Sequence, residues 1–225
     1  MQTHLNTDFH NHTCYSHDSM QKPEKLIQLA RKQGLDRIVI TDHNDIQGAL
    51  IAQQLDPELV IVGEEVKTTC GEFLAAFVKE LVPGDLTPKE TLKLLKDQGA
   101  FISVSHPFDR YRGWQLPDLM EIIPYVDAIE IFNSRCVYDE DNKKAQKFAL
   151  ENSLHGTVGS DAHFSFEVGH GRMILPAFTD ADELRLVISE GKLEVKLSSP
   201  GVHFFTTYAK LVRKIQGKST INDCP

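Results

Sequence analysis

Arg37-Ile38-Val39-Ile40-Thr41-Asp42-His43 carries the pattern that decides the fold: a short β-branched apolar run that stops on a carboxylate and an imidazole. Such a run fits a strand buried on both faces, as in a parallel sheet. The pattern recurs along the chain. Residues 59–62 lead into Gly63-Glu64-Glu65, residues 101–104 into Ser105-His106-Pro107, and residues 156–159 into Ser160-Asp161-Ala162-His163. A first, less apolar strand gives Asp8-Phe9-His10-Asn11-His12, and residues 128–132 form a further run. Amphipathic segments lie between them. Residues 23–33 set Leu26, Ile27, Leu29 and Ala30 on one face and stop at Gly34. Thr87-Pro88-Lys89-Glu90 reads as an N-cap, a proline at the first helical position and an acidic first turn. Residues 139–152 and 180–190 carry further helical patterns. Strands alternating with helices predict an α/β fold with a mainly parallel sheet that closes into a small barrel. An open doubly wound sheet is the competing layout.

The bulk properties narrow the function. The chain has 225 residues, 41% hydrophobic and 25% charged, which suits a packed domain and not a disordered chain. Its longest apolar stretch, residues 73–78, falls far short of the roughly 20 residues a membrane span needs. The N-terminus lacks the pattern of a secretory leader, so a cytoplasmic location is expected, with no membrane partner. The net charge of −8 and the scattered Lys and Arg disfavour a stable nucleic-acid partner. Cys14, Cys70, Cys136 and Cys224 lie far apart, which predicts neither a disulfide nor a thiolate zinc site.

The ten histidines are informative through their placement. Residues at the C-terminal ends of parallel strands converge on one mouth of an α/β barrel. His10 and His12, two apart on a strand, point to one face and suit a shared ion, and Asp161 with His163 repeats the arrangement. Imidazole and carboxylate without thiolate suit zinc, manganese or iron. The number of ligands exceeds one tetrahedral shell, which points to two or three divalent ions. Singly, each element has a plain structural reading: His-x-His as a surface pair, Asp42-His43 as a helix cap, Ser105-His106-Pro107 as a turn. Their joint recurrence after strand-like runs carries the metal reading.

With these motifs together, residues 8–190 resemble the PHP (polymerase and histidinol phosphatase) family of metal-dependent phosphoesterases. The resemblance rests on Asp8-Phe9-His10-Asn11-His12-Thr13 with Ser16 and Asp18, Ile40-Thr41-Asp42-His43-Asn44, Gly63-Glu64-Glu65, Ser105-His106-Pro107 and Gly159-Ser160-Asp161-Ala162-His163. It implies a distorted seven-stranded (β/α) barrel with a trinuclear site at the C-terminal mouth. By the same resemblance, His10, His12, Glu65 and Asp161 hold a first metal. Glu65 bridges to a second that His106 also binds, and Asp18, His43 and His163 hold a third. Many members place a further histidine soon after the bridging glutamate. This chain has none between His43 and His106, and Glu72 is the nearest replacement.

The implied reaction is hydrolysis of a small phosphate monoester or mononucleotide-like phosphodiester by a hydroxide bridging two ions. A nuclease or proofreading-type module acting on nucleic-acid ends is the alternative, and a decayed, non-catalytic metal domain a third. Glu65 and Asp161 serve the catalytic centre. Arg110 and Arg135, just past predicted strand ends, are the candidate phosphate ligands, with Arg112 and Arg172 weaker. His17 and His170 are candidate general acids. Trp114 and Tyr111 either wall the substrate or pack against the rim. Residues 1–196 form the predicted phosphoesterase domain. Residues 197–225 form an extension whose stretch 204–215 predicts a helix packed on the barrel, followed by a fraying tail.

Overall fold

A computed structural model describes residues 3–215, with the side chains of residues 212–215 outside the description. The expected tail after Gly217 also lies outside the described residues. Among the described residues nine strands form one sheet: β1 (His4–Asn11), β2 (Arg37–Ile40), β3 (Val60–Lys67), β4 (Glu72–Ala76), β5 (Phe101–Val104), β6 (Ala128–Asn133), β7 (His155–Gly159), β8 (Gly171–Pro176) and β9 (Lys192–Val195). Their order is β7-β6-β5-β4-β3-β2-β1-β8-β9. The pairs β1/β2, β2/β3, β5/β6 and β6/β7 are parallel. β4 runs antiparallel between β3 and β5, and β8 and β9 extend the other edge antiparallel.

The sheet curls until β7 meets β1. At that seam His12 N donates to the Ala162 carbonyl at 3.0 Å. Ser160 N and Oγ donate to the two oxygens of Asp8 at 2.9 and 2.5 Å. Strands β1 to β7 therefore make a nearly closed barrel, the distorted form expected, with one backbone bridge between Asn11 and Ala162 and the Asp8 side chain closing the seam in place of a full ladder. The β1/β2 register slips between Asp8 and Asn11, an irregularity of the kind that re-aims side chains beside a site.

Helices α1 (Pro23–Lys32), α2 (Gln47–Leu55), α3 (Pro88–Asp97), α4 (Leu116–Ile122), α5 (Asp139–Glu151), α6 (Ala181–Val187) and α7 (Val202–Ile215) follow the strands. The predicted N-cap at Thr87 is present, as a capping box: its hydroxyl accepts from Glu90 N, and the Glu90 carboxylate accepts from Thr87 N. Alternate strand residues divide the core. Ile38, Ile40, Val60, Val62, Ile102 and Val104 pack under Leu26, Ala30, Leu92 and Leu95 of the helices. Val39, Ile61, Phe101, Val158 and Phe9 pack with one another on the opposite face. Full burial of each such large side chain stabilises by about 1.5–3 kcal/mol, which leaves the polar mouth resting on a rigid apolar floor.

Three features depart from the sequence reading. β4 arises from the apolar stretch after Glu72 and folds back on β3 through a turn in which Thr68 N donates to the Gly71 carbonyl at 2.8 Å. Helices α2 and α4 and strands β8 and β9 were not anticipated. Cys14 is disulfide-bonded, contrary to expectation, while Cys70 and Cys136 are free. Among the described residues no helix is long and apolar enough to cross a membrane.

Candidate metal centre

The strand-end residues meet at one pole. His10 Nε2 and His12 Nε2 stand 2.9 Å apart. Asp161 Oδ1 lies 3.6 Å from His10 Nε2 and 3.3 Å from His12 Nε2. Glu65 joins the groups. Its Oε2 is 3.3 Å from His10, 3.4 Å from His12 and 3.1 Å from His43 Nδ1, while Oε1 is 3.2 Å from His106 Nε2. Glu72, carried in by β4, places Oε2 3.4 Å from His106 Nε2 and Oε1 3.9 Å from His43 Nδ1. Asp18 Oδ1 lies 3.1 Å from His163 Nε2 and 3.6 Å from His43 Nε2. Two ligands on one tetrahedral ion at 2.0–2.1 Å lie roughly 3.4 Å apart. Most of these separations are the edges of such a polyhedron.

The donor set fits divalent ions on a second count. Among the described residues, the buried atoms Asp18 Oδ1, Asp161 Oδ1 and His106 Nε2 have no hydrogen-bond partner. Buried polar atoms rarely go unsatisfied, and these three face other ligand atoms. His106 and Asp161 also sit at positive φ, 25° and 52°, a strain that non-glycine residues bear mainly at functional sites.

A surrounding shell fixes the imidazoles. His10 Nδ1 donates to Glu130 Oε1 at 3.0 Å, which turns Nε2 toward the cluster. Glu130 Oε2 accepts from His106 N at 2.8 Å and from Asn133 Nδ2 at 3.1 Å. His12 Nδ1 meets Ser16 Oγ at 2.9 Å, and Ser16 donates onward to Asp42 at 2.8 Å. Burial pushes the Asp42 carboxyl up to about 6 against its donors Thr13 and Ser16. Asp42 is thus a bracing residue, not a helix cap. Sequence reading missed Glu130, although a carboxylate inside Ala128-Ile129-Glu130-Ile131-Phe132 was a visible signal: a charge in a buried strand requires a partner.

Carboxylates stand close enough to several imidazoles to favour their charged form. Burial opposes a charged His43, yet Glu65, Asp18 and Glu72 hold its imidazolium up to about 10. Burial and Arg112 oppose a charged His106, yet Glu65 and Glu72 bring it to about 9. Burial also works against an ionised Glu65, but His10 and His43 keep its carboxyl well below the usual range. Metal-free protein therefore carries protons on imidazoles that an ion must find neutral. Manganese binding at pH 7 is expected to release protons, with affinity rising as pH climbs toward those values. Calorimetry in two buffers of different ionisation enthalpy reads the proton count directly, and a zero count sinks the expectation.

The predicted arginines divide. Arg110 stacks on Tyr138, 3.5 Å from the ring centroid, and pairs with Asp141 at 3.2 Å outside the cavity. The buried Asp141 carboxylate claims it, so the phosphate role assigned to Arg110 finds no geometric support. Arg112, rated weaker, reaches the centre: its Nη1 donates to Asp161 Oδ2 at 2.7 Å and Nη2 to Asp109 at 3.1 Å. Arg135 is buried, lies 3.3 Å from Glu167 Oε1 and lines the cavity. Arg172 pairs with Glu194 at the surface. Trp114 is buried against Phe73 with its indole N–H on the Glu72 carbonyl at 3.3 Å. It packs the rim and holds β4, while Tyr111 projects into solvent. Of the candidate acids, His17 lines the cavity, and His170 bonds to Ser198 outside it.

A family model described as the PHP domain matches residues 8–81, and one described as PHP-associated matches residues 139–193. Two uncharacterized proteins of Methanocaldococcus jannaschii are 34% identical over 74% of this chain and 68% of theirs, and 32% identical over 58% and 82%. The chain belongs to the PHP family. Solved structures share the fold at low identity. PsfC from Pseudomonas syringae superposes with a TM-score of 0.70 at 17% identity, covering 94% of this chain and all of that one. A putative metal-dependent phosphoesterase from Bifidobacterium adolescentis gives 0.59 at 18%, over 71% and 88%. The lesion-specific endonuclease EndoQ from Pyrococcus furiosus gives 0.62 at 14%, over 84% and 57%.

Proposed function

We propose that this PHP protein is a cytoplasmic metal-dependent phosphoesterase acting on a small phosphate monoester or mononucleotide-like phosphodiester. The carrying observation is Glu65, a single buried carboxylate within 3.4 Å of four imidazoles. His10, His12, Glu65 and Asp161 would hold one ion, Glu65, His106 and Glu72 a second, and Asp18, His43 and His163 a third. Bound there, zinc, manganese or iron supplies an activated water near neutral pH and offsets phosphoryl charge.

The chain's own residues set the rest of the chemistry. Arg112 grips Asp161 Oδ2 and orients it, leaving Oδ1 for the cluster, and Ser105 Oγ donates to Glu65 Oε1 at 2.7 Å and fixes that carboxylate plane. Arg112 and Arg135 sit on the cavity wall, where guanidinium groups suit phosphoryl oxygens. His17, largely exposed at the mouth and 3.9 Å from Asp18, is placed to pass a proton to a leaving group. Elemental analysis and turnover of an aryl phosphate with added manganese, beside degradation of a labelled oligonucleotide, test the proposal. Ester turnover that a chelator abolishes is expected. Oligonucleotide cleavage without ester turnover would favour the nuclease alternative, and inactivity of metal-replete protein towards both would sink the enzymatic reading.

A further inference from the structure

A cavity of about 380 Å³ opens over the ligands, with Asp18, His43, Glu72 and His163 as its floor. Its facing side is α7, which lies outside both matched segments. Particular contacts fasten α7 there. Val202 and Ala209 are buried, His203 Nε2 meets the Arg135 carbonyl at 3.0 Å, and the Arg135 guanidinium donates to the Thr206 hydroxyl. Phe205 packs on Phe164 and Phe166, ring centroids 5.8 and 5.9 Å away, in the loop that leaves His163. This places Lys210 Nζ 3.4 Å from Asp18 Oδ2, at the edge of the floor.

We infer that α7 grips the organic part of the substrate, with Lys210 as its anion-binding side chain, and that this part is compact, polar and itself anionic. The inference rests on the phosphoesterase reading and deepens it. A phosphoryl group drawn to the ligand floor leaves the remainder of the molecule to extend toward α7. There it meets Lys210, His203 and Thr206, while Arg135, on the phosphoryl side, also holds the helix through Thr206 and His203. Among the described residues no Phe, Tyr or Trp lines the cavity, and these large rings are the usual stacking platforms for nucleobases. The aromatic residues Phe204 and Tyr208 of α7 lie exposed and do not line the cavity. The volume falls near the small end of ligand pockets, about 300–1,000 Å³. Charge agrees. Arg112 and Arg135, beside Asp161 and Glu167, serve the phosphoryl end, and Lys67 is paired with Asp85. Lys210 faces Asp18, whose Oδ1 is turned to His163 and His43, so a cation shared by those three frees the ammonium for a ligand anion.

The test compares a hexose bisphosphate, para-nitrophenyl phosphate and adenosine monophosphate on the metal-loaded full chain. The bisphosphate is expected to be the best of the three. Lys210→Ala is expected to raise its KM roughly ten- to hundredfold, the worth of one charged hydrogen bond, and to move the aryl phosphate KM by less than about threefold. Bound metal should stay constant, and Lys210→Arg should restore the wild-type KM. Equal changes for both esters, no change for either, or preference for the nucleotide would overturn the inference. If the wild type hydrolyses none of them, the phosphoesterase reading fails. The bisphosphate Kd of wild type against Lys210→Ala, by calorimetry, then decides: a tenfold weakening upholds the anion site, and equality removes it.

Discussion

Glu65→Ala is expected to lower phosphate-ester turnover by on the order of a thousandfold and to strip bound metal, since ions supply several kcal/mol of transition-state stabilisation. The reason is connectivity. No histidine of the cluster reaches more than three carboxylates, whereas Glu65 reaches His10, His12, His43 and His106 with its two oxygens. Its loss would withdraw a ligand from both proposed ion positions and leave imidazoles facing one another across a gap. Glu65→Gln keeps the volume and removes the charge, so it is expected to fail almost as badly. If the glutamine variant retained wild-type metal content and rate, the residue would be a packing element, and the bridging assignment would be lost. A thermal melt of the metal-free variants separates this outcome from misfolding.

The cluster was legible in the sequence because most of its ligands sit at, or just past, the end of an apolar run. Ile40, Val62, Val104 and Gly159 each end a strand-like run two or three residues before a ligand, so the sheet geometry did the rest. Glu72 shows where legibility stops. Its strand carries the same apolar signal as the others, but nothing local reveals that it runs antiparallel and delivers its first residue, rather than its last, to the mouth. Arg110 and Arg112 show a second limit. Both lie just past β5, and which one enters is decided by Asp141 on a distant helix, which claims Arg110. Glu130 could have been found from its burial alone. The wall formed by α7 could not, because its position depends on contacts with Arg135 and the Phe164 loop, more than thirty residues away in sequence.

Gly159→Val is expected to destabilise the protein by about 3 kcal/mol or more, a fall in Tm of roughly 6–12 °C for a chain of this size, and to lower metal content with it. Gly159 ends β7 where the barrel closes on β1. A Cβ there would lie 2.2 Å from His10 Cβ and 2.9 Å from Glu130 Oε1. Neither neighbour has freedom to retreat. The His10 Cβ moves only with its backbone, and the Glu130 carboxylate is held by His10, His106 and Asn133. Strain at this point therefore becomes displacement of His10, and the imidazole that opens the cluster shifts away from Glu65 and Asp161. The same absence of a side chain lets the seam close and sets the ligand spacing, so stability and metal binding are expected to fall together. A variant with a lowered Tm but full metal content at saturating manganese would show that the seam and the site are mechanically separate. Gly34→Ala supplies the contrast. Its added Cβ meets nothing within 4 Å, and only its positive φ of 74° is strained, so it should cost stability without touching the metal.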